Sequence, residues 1–139
     1  MSNADSHRRS VDLFNNRDLD TFVMDYAADC EYVDQARSLT FKGREQVREF
    51  ELGWIGAFSD GRISNAQVID GGSATVLLFT GSGTNDGPLG PLPPTGRQVS
   101  MRFCEIREYD ADGRAVRGEL FYDQVTMLVQ LGHMPAPEG

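Results

Sequence analysis

Residues 98–109 read Gln98-Val99-Ser100-Met101-Arg102-Phe103-Cys104-Glu105-Ile106-Arg107-Glu108-Tyr109. Successive side chains of an extended chain point to opposite faces, so this run predicts a strand with two unlike surfaces. One surface carries Val99, Met101, Phe103, Glu105, Arg107 and Tyr109; the other carries Gln98, Ser100, Arg102, Cys104, Ile106 and Glu108. The turn Asp110-Ala111-Asp112-Gly113 leads into a second strand over Arg114 to Tyr122. A loop of two or four residues pairs odd positions of the first strand with even positions of the second. Val116, Gly118, Leu120 and Tyr122 therefore join the same apolar surface. Glu105 stands in the middle of it. A carboxylate there is costly when ionised. It is expected either in a salt bridge, to Arg107 or Arg44, or protonated through a raised pKa and donating a hydrogen bond inside a pocket.

Upstream, Asn65 to Asp70 and Ala74 to Gly81 flank Gly71-Gly72 as another hairpin. Cys30 to Asp34 is a short strand that ends on a second candidate carboxylate, Asp34. Before it, Val11 and Phe14 suggest one helix, closed by Asn15-Asn16. Asp18 caps a second, with Leu19, Phe22, Val23 and Tyr26 at helical spacing. After Gly43 a third helix aligns Val47, Phe50, Trp54 and Phe58 along one face, and Gly61 ends it. Asp123 is read as the cap of a closing helix with Val125, Leu128 and Leu131, which Gly132 terminates. Helices first and meandering strands afterwards is an α+β order. The predicted architecture is a curved, mixed, mostly antiparallel sheet wrapped around the N-terminal helices, a cone with an apolar pocket. The 139 residues fit one domain, 1–139, with its core over about 10–132. Gly81 to Arg97, rich in glycine and proline, is expected to be a mobile lid or edge cover at the pocket mouth.

The net charge of −8 and the scattered arginines argue against nucleic acid and against an anionic membrane. No apolar stretch approaches the ~20 residues that cross a bilayer. Two cysteines, Cys30 and Cys104, and a polar start, Met1 to Arg9, point to a cytoplasmic protein with free thiols. His7 and His133 lie in terminal segments and show no zinc spacing, so neither a metal nor a cofactor is expected.

The run Asp25 to Asp34 followed by Gly43-Arg44-Glu45 resembles the first strand and third-helix entry of ketosteroid isomerases. Pro93-Pro94-Thr95-Gly96-Arg97 and Gln130-Leu131-Gly132 resemble SnoaL-like polyketide cyclases. This resemblance spans roughly residues 10 to 132. It implies a cone-shaped fold, with Asp34 at the position of the isomerase's general base and Glu105 at that of its protonated second acid. Ser10 stands where the isomerase has its oxyanion-hole tyrosine, and Leu120 where the cyclases carry their catalytic aspartate. The similar epoxide hydrolases need Arg-x-Asp, which is absent.

The leading expectation is a cofactor-free proton-transfer enzyme acting on a hydrophobic, polyketide-like or polycyclic carbonyl compound. Asp34 would remove a proton, and a neutral Glu105 would hold the enolate oxygen. Tyr32, Phe50, Trp54, Phe58, Met101, Phe103, Leu120 and Tyr122 would line the pocket. The alternative is a domain of the same fold that binds a small molecule without converting it. Arg102, Cys104 and Ile106, on the outer sheet face, suggest a homodimer.

Overall fold

The computed structural model describes residues 1–138. In chain order the elements are α1 (Asn3–Asn15), α2 (Leu19–Met24), β1 (Tyr26–Asp34), β2 (Leu39–Lys42), α3 (Gly43–Ala57), β3 (Arg62–Asp70), β4 (Ala74–Thr84), β5 (Gln98–Tyr109), β6 (Ala115–Phe121) and α4 (Gln124–Leu131). The six strands form one sheet in the order β2-β1-β6-β5-β4-β3, antiparallel throughout except for the parallel pair β1–β6. This is the mixed α+β cone expected from the pattern.

α1, α2 and α4 begin where their sequence can satisfy free N–H groups, whereas α3 starts after Lys42 with no side-chain cap. Ser2 and Asp5 form a reciprocal capping box on α1, Asp18 accepts from Thr21 N, and Asp123 accepts from Val125 N and Thr126 N. Gly132, with φ of 89°, closes α4 in the left-handed conformation that glycine adopts without strain. α1 packs on β3 and β4, α3 on β1 and β2, and α4 on β5, with α2 between α1 and α3. Together they bury one face of the sheet. Irregular register between Ser64 and Gln67, and between Glu108 and Tyr109, bends the strands at these points.

Lateral rows on that buried face place the polar groups. One row runs Tyr32, Gly118, Arg107, Thr75; the next runs Asp34, Leu120, Glu105, Leu77. The odd–even pairing of β5 with β6 is as expected up to Glu108. Beyond it the irregularity sets Ala115 opposite Tyr109, so Ala115 is buried and Val116 is 38% exposed. Val116 therefore does not belong to the apolar face.

Three other elements differ from expectation. Tyr26 opens β1 instead of closing α2, and β2 occupies a stretch read as a polar connection. The third difference concerns Gly81 to Arg97. Its first four residues prolong β4, and the remainder is fastened down. Asn85 is buried; its amide donates to Ala57 O and Gly87 O, and its Oδ1 accepts from Thr95 N at 2.8 Å. A buried amide with all these bonds made is a clamp. It ties the loop to the end of α3.

Candidate active site

Between the helices and the sheet lies a narrow cavity of about 90 Å³. It is a slot walled by aromatic rings. α1 contributes Ser10 and Phe14, α2 Phe22, β1 Tyr32, and α3 Phe50, Glu51 and Trp54, with Phe58 just beyond. The sheet contributes Leu77, Phe79, Val99, Phe103, Glu105 and Leu120, and α4 contributes Met127. Phe79 and Phe103 stack at 5.1 Å, almost parallel. Gly61 to Ile63 and Gly81 to Gly83 complete the lining, whereas residues 85–97 take no part in it.

The polar side of the slot is a charge cluster. Glu105 Oε1 lies 2.8 Å from His7 Nε2 and 3.4 Å from Arg107 Nε, and its Oε2 accepts from Tyr32 OH at 2.5 Å. Tyr32 reaches across because Gly118 lies beneath its ring; a Cβ there would sit 2.5 Å from Tyr32 Cδ2. Arg107 is fully buried, with the faces of Tyr26 and Phe22 4.6 and 5.5 Å from its guanidinium. These rings supply part of the stabilisation that water would give the cation. Burial by itself would raise the Glu105 pKa, but the His7 hydrogen bond, the Arg107 charge and the Tyr32 hydrogen bond prevail and hold it at about 2. The expectation of a protonated Glu105 is thus corrected: it is an ionised member of a buried pair.

The protonated acid is Glu51, one helix away. It is 6% exposed and lines the same cavity. Burial raises its pKa to about 8, the charge of Glu105 adds to the rise, and Arg107 opposes it. Burial lowers the His7 pKa, as does Arg107, against the pull of Glu105, so the imidazole is neutral at pH 7.

Asp34 shares a sheet row with Glu105, but Leu120 stands between them. At about 4.8 Å per strand the two Cα atoms are roughly 10 Å apart. Asp34 is not part of the cavity wall. Its Oδ2 accepts from Arg37 Nε and Tyr122 OH, both at 2.9 Å, and its Oδ1 from Arg37 N at 3.1 Å. The Arg37 guanidinium lies 4.8 Å from the centre of the Trp54 ring. Tyr122 packs on Trp54 and Phe103 from outside the slot, and Met101 is buried opposite Gly81. Of the residues named from sequence, Glu105, Tyr32, Phe50, Trp54, Phe58, Phe103 and Leu120 meet at the cavity, while Asp34, Met101 and Tyr122 do not.

The sequence profile of SnoaL-like polyketide cyclases matches residues 4–131, nearly the whole chain. The chain belongs to this family. Solved structures agree on the fold. A protein of Jannaschia sp. CCS1, provisionally described as a SnoaL-like polyketide cyclase, superposes with a TM-score of 0.85 at 19% identity, over 96% of this chain and 93% of its own. A protein of Pseudomonas putida KT2440, provisionally described as a polyketide cyclase, gives 0.84 at 16%, over 94% and 98%. AclR of Streptomyces galilaeus, provisionally described as a hydroxylase, gives 0.81 at 20%, over 98% and 84%. No curated protein sequence matches significantly.

Two site residues of this SnoaL-like chain escaped the sequence reading. Glu51 lies four residues after Val47 and three before Trp54, on the apolar stripe itself. His7 lies three and seven residues before Ser10 and Phe14, on the buried face of α1. Helical spacing was the available signal for both. Among the described residues, no group of three or more His, Cys, Asp or Glu side chains is placed to hold a metal, and no helix is long and apolar enough to cross a membrane.

Proposed function

We propose that the chain is a cofactor-free proton-transfer enzyme, of isomerase or cyclase type, acting on a hydrophobic, polyketide-like or polycyclic carbonyl compound. The observation that carries this reading is Glu51: an acid in an apolar slot with a pKa of about 8. A group whose pKa lies near the working pH both takes and returns a proton efficiently, and such a base contributes typically ~10²–10⁴-fold. The Glu51 carboxylate removes a proton next to the carbonyl, and the C–H electron pair shifts to the oxygen as an enolate. Tyr32 OH, on the cavity wall, is the donor for that oxygen, exchanging its Glu105 Oε2 acceptor for the enolate as charge develops there. Where a double bond is conjugated with the enolate, return of the proton to the far carbon gives isomerisation; attack of the enolate carbon on a second carbonyl of the same molecule breaks that C=O π bond, the alkoxide formed takes the Glu51 proton, and the ring closes.

The test uses 2-tetralone in D₂O, with deuterium entry beside the carbonyl followed by NMR. The protein should accelerate exchange, and Glu51→Gln should abolish the acceleration with the fold intact. Unchanged exchange in Glu51→Gln overturns the assignment. Asp34 is the second candidate base, because it shares the sheet face and row of Glu105. Loss of exchange in Asp34→Asn alone moves the chemistry there. One observation favours the binding-domain reading: the Ser10 hydroxyl, at the expected oxyanion position, is spent on His7 O at 2.6 Å. Tight binding of a ligand with no exchange in any variant supports that reading. The same proposal takes the protein as a cytoplasmic homodimer, supported by the exposed Phe121 and the part-exposed Cys104 and Ile106 on the outer sheet face. Sedimentation checks the dimer.

A further inference from the structure

The slot, at about 90 Å³, is smaller than the roughly 150 Å³ that an engineered apolar cavity needs to take up benzene. A ring compound therefore enters only if part of the wall moves. The sheet side is fixed by strand pairing: Phe79 lies opposite Phe103, Arg62 opposite Ser82 and Ile63 opposite Gly81. Among the described residues, Trp54 is the one aromatic ring of the wall that is not buried. It stands on α3 between Gly53 and Gly56. Both glycines are exposed, and a Cβ built at either would meet nothing within 4 Å. Packing does not require them, and each weakens the helix relative to alanine. The neighbouring turns are anchored. Phe50 and Glu51 are buried on one side, and on the other Ala57 O accepts from Asp86 N, Gly87 N and the Asn85 amide. A weak turn thus lies between two fixed ones.

Arg37 covers that turn from outside. Its guanidinium lies 4.8 Å from the centre of the Trp54 ring and 5.9 Å from that of Phe50. Asp34 holds it through Nε at 2.9 Å and through the backbone N at 3.1 Å. We propose that the Gly53–Gly56 turn of α3 is the gate by which ring compounds enter the slot, and that Arg37, anchored on Asp34, is the latch that keeps Trp54 closed over it. This rests on the reading that the slot holds the ligand. Release of the Arg37 contact lets Trp54 swing outward on its weak turn and joins the slot to solvent.

Trp54 is the only tryptophan of the chain, so its emission reports binding to this wall. Stopped-flow mixing of the full chain with 2-tetralone, read by Trp54 fluorescence, provides the test. Gly53→Ala/Gly56→Ala should raise the urea midpoint yet slow association by about tenfold, because each alanine favours the wound helix several-fold. Arg37→Gln should speed association by about threefold, through loss of the cation over the ring. Association as fast as wild type in the double alanine variant overturns the gate, and unchanged association in Arg37→Gln overturns the latch; each is decisive alone. Saturable binding with rates indifferent to both variants overturns this proposal and leaves the slot as the ligand site. No saturable binding of 2-tetralone to the wild type overturns the gate and the slot's ligand reading together.

Discussion

Asp34 and Glu105 occupy one row of the sheet, both are buried, and each has an arginine and a tyrosine as partners. Around Asp34 the charges balance: one carboxylate, one guanidinium, and hydrogen bonds to both oxygens. Around Glu105 they do not, because Arg107 faces two carboxyls and His7 is neutral. Glu105 has three partners on its oxygens and takes the negative charge. Glu51, with no side-chain hydrogen bond among the described residues and the Glu105 charge raising its pKa further, keeps the proton. Burial raises the pKa of both acids of the cluster; the donors and the cation on Glu105 overcome it there, and at Glu51 it prevails with the Glu105 charge adding to it.

That contrast is broken most directly by removing each carboxylate. Glu105→Leu leaves Arg107 buried without its counter-ion and should cost about 3–5 kcal/mol in urea unfolding at pH 7. Asp34→Asn should cost less, about 1–3 kcal/mol, since Arg37 is part-exposed and water can take up part of its charge. Equal losses would mean the two corners are energetically alike.

The pH dependence of stability sharpens the comparison. Between pH 4.5 and about 8 the unfolded chain has released the Glu51 proton that the folded chain retains. Raising pH through this window therefore lowers stability, by at most about 1.4 kcal/mol per pH unit. Glu105 has the opposite sign: its contribution is complete above pH 4.5 and is lost as pH falls toward about 2. Glu51→Gln should flatten the upper window and leave the lower one in place. Unfolding curves at several pH values check both.

Gly118→Ala should cost about 1–3 kcal/mol, because the new methyl meets the Tyr32 ring and pushes its hydroxyl away from Glu105. The Glu105 titration should then rise, and no effect would mean the ring has room elsewhere. A separate effect is expected away from the site. Asn85→Ala should cost about 1–2 kcal/mol and speed amide exchange at Thr95 and Gly96, with the cavity unchanged.

Much of this was legible in the sequence. Period-two alternation placed Glu105 on the inner face, and the spacing of Phe50, Trp54 and Phe58 built the aromatic wall. Single-residue switches were harder to see. The irregularity after Glu108 turns Val116 outward, and nothing in the local pattern marks it. Glu51 between Phe50 and Leu52 looks like a solvated helix residue unless its place on the Val47–Trp54 stripe is weighed against its charge. The ionisation of Glu105 depended on His7, nearly 100 residues away, and no local rule connects them. Parity fixes which face a side chain takes. Charge state follows from tertiary neighbours.

At neutral pH one buried carboxyl, that of Glu51, remains protonated. Infrared spectroscopy of the folded protein at pH 7 tests this directly, through the carbonyl band of a protonated carboxylic acid. The band should be present in the wild type, persist in Asp34→Asn and vanish in Glu51→Gln. Its absence from the wild type, or its loss in Asp34→Asn with retention in Glu51→Gln, would contradict the account.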